Sequence, residues 1–227
     1  MMQASKEGIL PWDKAEPEED LESVYADKEE PATEEATEAV ADTEAEADKT
    51  YTFTDVTQDY FDDAVFIGDS RTEGIRDAVQ DDSVWSCLSS MGYDWMVSTG
   101  VPQVEDEIED NTAVIILMGV NDLYHVNDYL SYINEKAVEW SDLGAQTYFV
   151  SVGPVENDPY ASNTEIESFN SAMEANLSGV TYIDVYSHLV TDGFSTVDGI
   201  HYPNSVSIDI YNYILDHLEE QRSGIWG

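Results

Sequence analysis

Short apolar runs alternate with longer amphipathic stretches from about residue 64 to the end of the chain. The runs have the length and bounding turn residues of buried strands: Ala64–Ile67, Val84–Leu88, Ala113–Met118, Thr147–Val152 and Val180–Asp184. The stretches have the spacing of helices: Arg71–Val79, Val101–Glu109, Val126–Leu143, Thr164–Leu177 and Val206–Gln221. Strands that alternate with helices of this length predict an α/β fold, with a parallel sheet covered by helices on both faces.

Residues 1–50 differ in composition from the rest of the chain. They repeat Glu, Ala, Thr, Asp and Pro with few aromatic residues, as in the stretch from Glu29 to Glu38. Such a sequence buries too little apolar surface to offset the entropy lost on ordering. We therefore expect an acidic, disordered linker or stalk over residues 1–50 and one folded domain over residues 51–227.

The chain is strongly acidic, with 49 Asp and Glu, 8 Lys and Arg, and a formal net charge of −41. Residues 1–50 hold 17 of these acids and 4 of the bases, so the predicted domain is itself strongly negative. A surface of this charge repels phosphate and has few cations with which to release counterions. We expect no nucleic acid partner and no attraction to anionic membranes.

Cysteine usage and the lack of long apolar runs limit the redox chemistry and location that we expect. Cys87 is the only cysteine, so no internal disulfide forms, and its apolar neighbours predict a small core residue. No run approaches the roughly 18 apolar residues of a membrane span, and no segment has the pattern of a signal peptide. Acidic stalks are common in exported proteins whose leader has been removed. We expect a secreted or cell-surface protein, with a cytoplasmic location as the alternative.

The first predicted strand ends in a turn that suits a nucleophile. Gly68-Asp69-Ser70 follows the strand, and the helical pattern begins at Arg71. The Ser70 hydroxyl is then at the carboxyl end of the strand, and its N–H is at the positive end of the helix. There an attacking oxygen meets a general base, while the N–H and the helix dipole stabilise an oxyanion. The alternative is a plain connecting turn.

A histidine with an acidic partner lies just before the last predicted helix, in Asp198-Gly199-Ile200-His201. This spacing lets the carboxylate accept from one imidazole nitrogen while the other nitrogen faces a serine. His201 is therefore the candidate base and Asp198 the residue that orients it. We expect no role for the other histidines, which are His125, His188 and His217.

Two loops at predicted strand ends offer donors for an oxyanion. Gly92 follows the second strand, where a glycine allows the backbone N–H to approach a substrate oxygen closely. Asn121 follows the third strand, in Gly119-Val120-Asn121-Asp122, and its amide is able to donate into a cleft. The alternatives are an ordinary turn at Gly92 and a helix cap at Asn121 or Asp122.

These motifs together resemble the SGNH/GDSL hydrolase superfamily, in the right order over about residues 60–220. The resemblance implies a flavodoxin-like three-layer α/β/α sandwich with a five-stranded parallel sheet, the SGNH hydrolase fold. It also implies a catalytic triad of Ser70, His201 and Asp198. The implied oxyanion hole consists of the N–H groups of Ser70 and Gly92 and the side chain of Asn121.

The chain departs from the family pattern at two places. Arg71 stands where the family's name motif has leucine, and it either binds a substrate carboxylate or lies on a helix surface. The glycine block matches least well, so Gly100 competes with Gly92 as oxyanion donor. The candidates for an aromatic substrate wall, with core packing as the alternative, are Tyr93, Trp95, Tyr124, Tyr160 and Tyr202.

The resemblance implies ester hydrolysis, in which Ser70 forms an acyl-enzyme and water activated by His201 releases the acid. We expect small acyl groups, above all acetyl, on a carbohydrate such as an acetylated polysaccharide or a cell-wall glycan. The 14 Tyr and 5 Trp offer rings on which sugars stack. The alternatives are acyl transfer to a polysaccharide and a non-catalytic surface binding module. The mechanism needs no cofactor and no metal, and we expect a monomer.

Overall fold

A five-stranded parallel sheet forms the centre of the fold. The computed structural model describes residues 61–79 and 81–223, with the side chains of residues up to 218. The strands are β1 (Asp63–Gly68), β2 (Val84–Cys87), β3 (Thr112–Leu117), β4 (Gln146–Val150) and β5 (Val180–Ile183). Their order is β2-β1-β3-β4-β5, and every neighbouring pair is parallel. The predicted linker over residues 1–50 lies outside the described residues.

Helices cover both faces of this sheet. They are α1 (Ser70–Val79), α2 (Val126–Leu143), α3 (Asn163–Asn176), α4 (Val185–Asp192) and α5 (Asn204–Ser223). Alternate residues of β1 face opposite sides: Val65 and Ile67 pack with α2 and α3, while Ala64 and Phe66 pack with α1, α4 and α5. The predicted three-layer sandwich is therefore confirmed. Among the described residues, no helix is long and apolar enough to cross a membrane.

The predicted helix over Val101–Glu109 is wrong. A helical turn at Tyr93–Trp95 instead continues into a π-helical turn at Met96–Gly100, and a 3-10 turn follows at Glu105–Glu107. The acidic residues between 105 and 110 place like charges four positions apart, which destabilises an α-helix. The apolar residues of the segment are nevertheless buried, as their spacing predicted: Val101, Val104 and Ile108.

Helix α4 is an element that the sequence analysis did not predict. It begins directly after β5, where Asp184 caps it by accepting from the Ser187 N–H at 3.0 Å. Val185 and Leu189, four residues apart, are buried against the sheet. With two turns and two buried residues, the helix leaves only a weak periodic signal in the sequence.

The strand order brings three predicted positions to one edge of the sheet. β1 lies between β2 and β3, so the segments that follow these strands are neighbours at their carboxyl ends. Ser70 follows β1, Gly92 follows β2 and Asn121 follows β3. In open parallel sheets, ligands bind outside the carboxyl ends of the strands, so this edge is the place to look for a site.

Candidate active site

Ser70, His201 and Asp198 form a continuous hydrogen-bonded chain. Ser70 Oγ lies 2.9 Å from His201 Nε2, and His201 Nδ1 lies 2.7 Å from Asp198 Oδ2. An ionised Asp198 accepts the Nδ1 proton, which leaves Nε2 to accept from the Ser70 hydroxyl. The structure thus brings together the three residues that the motifs predicted, at distances that allow proton transfer from serine to imidazole.

Hydrogen bonds keep Asp198 ionised. Its Oδ1 accepts from the N–H groups of Ile200 at 3.1 Å and His201 at 2.8 Å, in addition to the imidazole bond at Oδ2. These bonds hold the pKa of Asp198 well below its usual range, with the His201 N–H contributing most. Gly199 allows this tight loop because its φ of 103° is left-handed, and a Cβ there would collide with the Asn157 carbonyl.

The turn at Ser70 places its N–H in the first turn of α1. Asp69 caps the helix, since its Oδ1 accepts from the Arg71 N–H at 3.0 Å. Asp69 is only 2% exposed, and burial raises its pKa to about 6. Gly68 is needed at the strand end because a Cβ there would collide with the Thr72 side chain and the Leu117 carbonyl. The positive end of α1 therefore faces the site, as the sequence predicted.

Gly92 and Asn121 line the same cleft at this edge of the sheet. The Asn121 amide donates to the Met91 carbonyl at 2.8 Å, and Asp122 Oδ2 accepts from the Tyr93 N–H at 2.7 Å, so the two loops are tied together on both sides of Gly92. A Cβ at Gly92 would collide with the Asp122 carboxylate. The two candidate donors are brought together, and their role toward an oxyanion stays a prediction.

Gly100, the competing glycine, has a different setting. It ends the π-helical turn and is buried, with the Trp95 ring where a Cβ would project. Its carbonyl accepts from Ser86 Oγ at 2.7 Å. Close packing against Trp95 accounts for a glycine at this position, and the choice between Gly92 and Gly100 as oxyanion donor stays a prediction.

The position of Arg71 differs from both expectations, which were a contact with a substrate carboxylate and a place on a helix surface. The side chain lies neither on a helix surface nor toward the cleft. It is 9% exposed, and its guanidinium donates to the carbonyls of Gly153 at 2.7 Å, Pro154 at 3.3 Å and Ile200 at 3.1 Å. The Tyr202 ring lies beneath it, 4.8 Å from the guanidinium carbon, and the Tyr202 hydroxyl donates to Pro154 at 2.6 Å. These contacts replace the expected substrate contacts of Arg71 and Tyr202.

The remaining aromatic candidates divide into cleft and non-cleft residues. Trp95 and Tyr124 line the cleft, and Tyr124 is 81% exposed. Tyr93 packs edge-to-face on Tyr129, with ring centres 5.3 Å apart, so core packing accounts for it. Tyr160 is 93% exposed and does not line the cleft.

His125 is a cleft residue to which the sequence analysis gave no role. It lies beside Gly92 and Asn121, and its Nδ1 is 2.7 Å from Asp128 Oδ2. This hydrogen bond raises the pKa of His125. Asp128 stands three residues after His125, a spacing that is compatible with the pair.

The cleft is small and polar. Its volume is about 290 Å³, and it is lined by Ser90, Met91, Gly92, Asp94, Trp95, Asn121, Asp122, Tyr124 and His125. None of these lining residues, all within the described part of the chain, is Leu, Ile, Val or Phe. Ser70, His201 and Asp198 are not among these lining residues, so the volume describes the space beside the candidate oxyanion donors and sets no limit on the length of an acyl chain.

Solved structures of hydrolases share this fold. A GDSL-like lipase from Bacteroides thetaiotaomicron has 16% identity and a TM-score of 0.54, over 70% of this chain and 88% of that chain. The catalytic domain of a peptidoglycan O-acetyltransferase from Streptococcus pneumoniae has 16% identity and a TM-score of 0.52, over 71% of this chain and 96% of that chain. A catalytic mutant of an acetylxylan esterase from Geobacillus stearothermophilus has 13% identity and a TM-score of 0.50, over 69% of this chain and 93% of that chain.

No family model and no curated protein matches the sequence. At these identities the likeness shows the fold alone. The chain therefore has the fold of the SGNH/GDSL hydrolases, as its motifs predicted.

Proposed function

We propose that this protein is a serine esterase that removes short acyl groups through a Ser70 acyl-enzyme. The observation that carries the proposal is the chain of hydrogen bonds from Ser70 through His201 to Asp198, at 2.9 and 2.7 Å. Nucleophile, base and orienting carboxylate are the parts that acyl transfer to serine needs, and they are recognised by geometry rather than by sequence position.

In the proposed reaction, Ser70 Oγ attacks the ester carbonyl while His201 Nε2 takes the hydroxyl proton. The negative charge forms on the carbonyl oxygen, which accepts from the N–H groups of Ser70 and Gly92 and from the Asn121 amide. Collapse of this intermediate releases the alcohol, which takes the proton from His201. Water then attacks the acyl-enzyme with His201 again as the base, and the acid leaves.

Asn121 has the donor capacity for this role. An amide nitrogen carries two N–H groups, and the bond to the Met91 carbonyl uses one and fixes the direction of the other. Asn121→Ala should therefore lower kcat by about 10²–10³-fold and leave KM nearly unchanged. Asn134→Ala is a matched control, because that amide donates to the Asn176 carbonyl on the protein surface. Equal kcat values in the two variants would exclude Asn121 as a donor.

The polar lining of the cleft supports a polar alcohol such as a sugar. Trp95 and Tyr124 offer ring faces to that sugar beside the candidate oxyanion donors Gly92 and Asn121. We extend the proposal to acetylated carbohydrate, which fits the substrates named for the peptidoglycan and xylan enzymes of the same fold. A secreted or cell-surface location is part of this proposal.

Release of p-nitrophenol from the acetate and octanoate esters tests the proposed activity. The wild type should turn over acetate faster than octanoate, and Ser70→Ala should abolish both reactions. Ser98→Ala is the control, because the Ser98 hydroxyl is exposed on the surface, 3.3 Å from the Thr99 hydroxyl. A wild type as inert as Ser70→Ala on both esters and on acetylated xylan would contradict the proposal and leave acyl transfer and a binding module as the alternatives.

Acyl transfer is the second candidate, because the peptidoglycan O-acetyltransferase domain has this fold. The first half-reaction is the same, and a sugar hydroxyl replaces water in the second. Wild-type protein with an acetyl donor and an added oligosaccharide would separate the two functions. Free acetate indicates hydrolysis, whereas acetylated sugar detected by mass spectrometry indicates transfer.

A further inference from the structure

Arg71 is a buried cation whose position the proposed chemistry does not explain. It directly follows the candidate nucleophile and is 9% exposed. A buried guanidinium is destabilising unless its N–H groups find acceptors. Its acceptors here are three backbone carbonyls from two other segments, at Gly153, Pro154 and Ile200.

The Ile200 contact reaches the candidate base through one peptide group. The Ile200 carbonyl and the His201 N–H belong to the same planar peptide unit. Arg71 Nε donates to that carbonyl at 3.1 Å, and Asp198 Oδ1 accepts from that N–H at 2.8 Å. Because both ends of a rigid plane are held, the backbone from which the imidazole projects has a fixed orientation.

The other two contacts rest on a second, well-held segment. Gly153 and Pro154 follow β4, and the Pro154 carbonyl also accepts from the Tyr202 hydroxyl at 2.6 Å. A Cβ at Gly153 would collide with that hydroxyl. The Glu156 N–H donates to the Gly199 carbonyl at 3.0 Å, so this segment contacts the loop of the candidate base independently of Arg71.

We propose that Arg71 is a positioning residue, whose guanidinium joins the start of α1 to the Ile200–His201 peptide and so holds His201 Nε2 within reach of Ser70. The inference rests on the proposed esterase function. The planar guanidinium has N–H groups in a fixed fork, and lysine offers no equivalent geometry. Arg71 therefore contributes to the reaction by positioning His201, without contacting the substrate.

Kinetics of Arg71→Lys and Arg71→Met provide the first test. Since displacement of the base by about 1 Å costs on the order of 10²-fold, kcat should fall by about that factor in both variants, with KM within about twofold of wild type. Arg76→Met is the matched control, because Arg76 is on the same helix, is only partly buried and pairs with Asp77 and Glu73. Unchanged kcat in folded Arg71 variants, or a change in KM alone, would overturn the proposal.

Chemical rescue separates positioning from a general loss of structure. Arg71→Ala leaves space for a free guanidinium ion, so millimolar guanidinium should restore part of kcat, while the same concentration of sodium chloride should not. Failure of rescue in a folded Arg71→Ala protein would count against the proposal. If Arg71→Ala does not fold, Arg71→Lys takes its place in the spectroscopic test, because it keeps the buried charge.

The spectroscopic test does not depend on turnover. In the wild type, the imidazole NMR resonances of His201 should respond to Ser70→Ala, since the Ser70 hydroxyl lies 2.9 Å from Nε2. In Arg71→Lys, the same Ser70→Ala change should leave those resonances nearly unaltered, because the contact is already lost. An equal response in both backgrounds would overturn the positioning role. An inert wild type with the predicted NMR difference would reject the esterase function and leave the positioning of His201 intact.

Discussion

Three aspartates near Ser70 differ in the groups that their carboxylates accept from. Asp198 accepts from two backbone N–H groups and the imidazole, which keeps it ionised. Asp122 accepts from the Tyr93 N–H and the Tyr129 hydroxyl, so it joins loops to α2. Asp69 caps α1 from a buried position. Asp198 alone among these three contacts the imidazole, and it is therefore the one suited to orient His201.

Asp198→Asn should lower kcat by about 10³–10⁴-fold. An asparagine no longer favours the tautomer that has its proton on Nδ1, and it does not stabilise the imidazolium formed when His201 takes the Ser70 proton. Asp128→Asn is the matched control because it alters a second short aspartate–histidine contact, at 2.7 Å to His125. Esterase assays that compare kcat of the two variants are the measurement. A similar kcat in the two would show that Asp198 is not the orienting residue.

Asp69 makes folding stability depend on pH. Burial raises its folded pKa from 3.8 to about 6, so the neutral form is favoured in the folded protein. The stabilisation of the folded protein by neutral Asp69 is fully present below pH 3.8, and it is lost as the pH rises through about 6. Relative to Asp69→Asn, the wild type should lose about 2 kcal/mol of unfolding free energy between pH 4 and 7. Urea unfolding of both proteins across this range is the measurement. An equal pH dependence of the two unfolding free energies would contradict this role of Asp69.

The loops at the carboxyl edge of the sheet are the elements that make the site. The sequence indicated that Ser70 and the Asp198–His201 pair belong together, because a serine directly after a strand and an aspartate three residues before a histidine have specific chemistry, and the structure joins these three residues by hydrogen bonds. It did not predict the environment of Arg71, since the carbonyls of Gly153 and Ile200 come from segments more than 80 residues away. Long-range packing of this kind leaves no local pattern.

Histidine spacing shows a second limit of the sequence. Asp122 precedes His125 by three residues, as Asp198 precedes His201. The structure separates the two cases, because Asp122 is bound by Tyr93 and Tyr129 while His125 pairs with Asp128. Only the fold decides which carboxylate an imidazole meets, so spacing alone did not distinguish the candidate base from a cleft residue.

Gly199→Ala should damage the loop that carries the candidate base. The substitution meets an unfavourable φ of 103° and a collision with the Asn157 carbonyl, so the loop must move. Gly193→Ala is the control, since it has a φ of 89° but nothing within 4 Å of the new Cβ. We expect kcat to fall by about 10²-fold in Gly199→Ala and to stay near wild type in Gly193→Ala. Equal kcat values in the two would contradict this role of the loop.

The net charge of −41 acts on the molecule as a whole. A field of this sign lowers the local concentration of anionic substrates and slows their encounter with the site. The cleft adds to it, because Asp94 and Asp122 are among its lining residues. The negative field therefore favours neutral esters over anionic ones, independently of how a substrate fits the cleft.

Salt should change the rate for anionic esters and not for neutral ones. The Debye length shortens from about 30 Å at 0.01 M to about 3 Å at 1 M, so added sodium chloride screens the repulsion between protein and substrate. We expect kcat/KM for 4-acetoxybenzoate to rise roughly tenfold between 0.01 and 0.5 M salt, and that for phenyl acetate to change less than about twofold. Both esters release a phenol, so the comparison isolates the carboxylate. Parallel salt dependence of the two esters would show that the negative field does not reach the site.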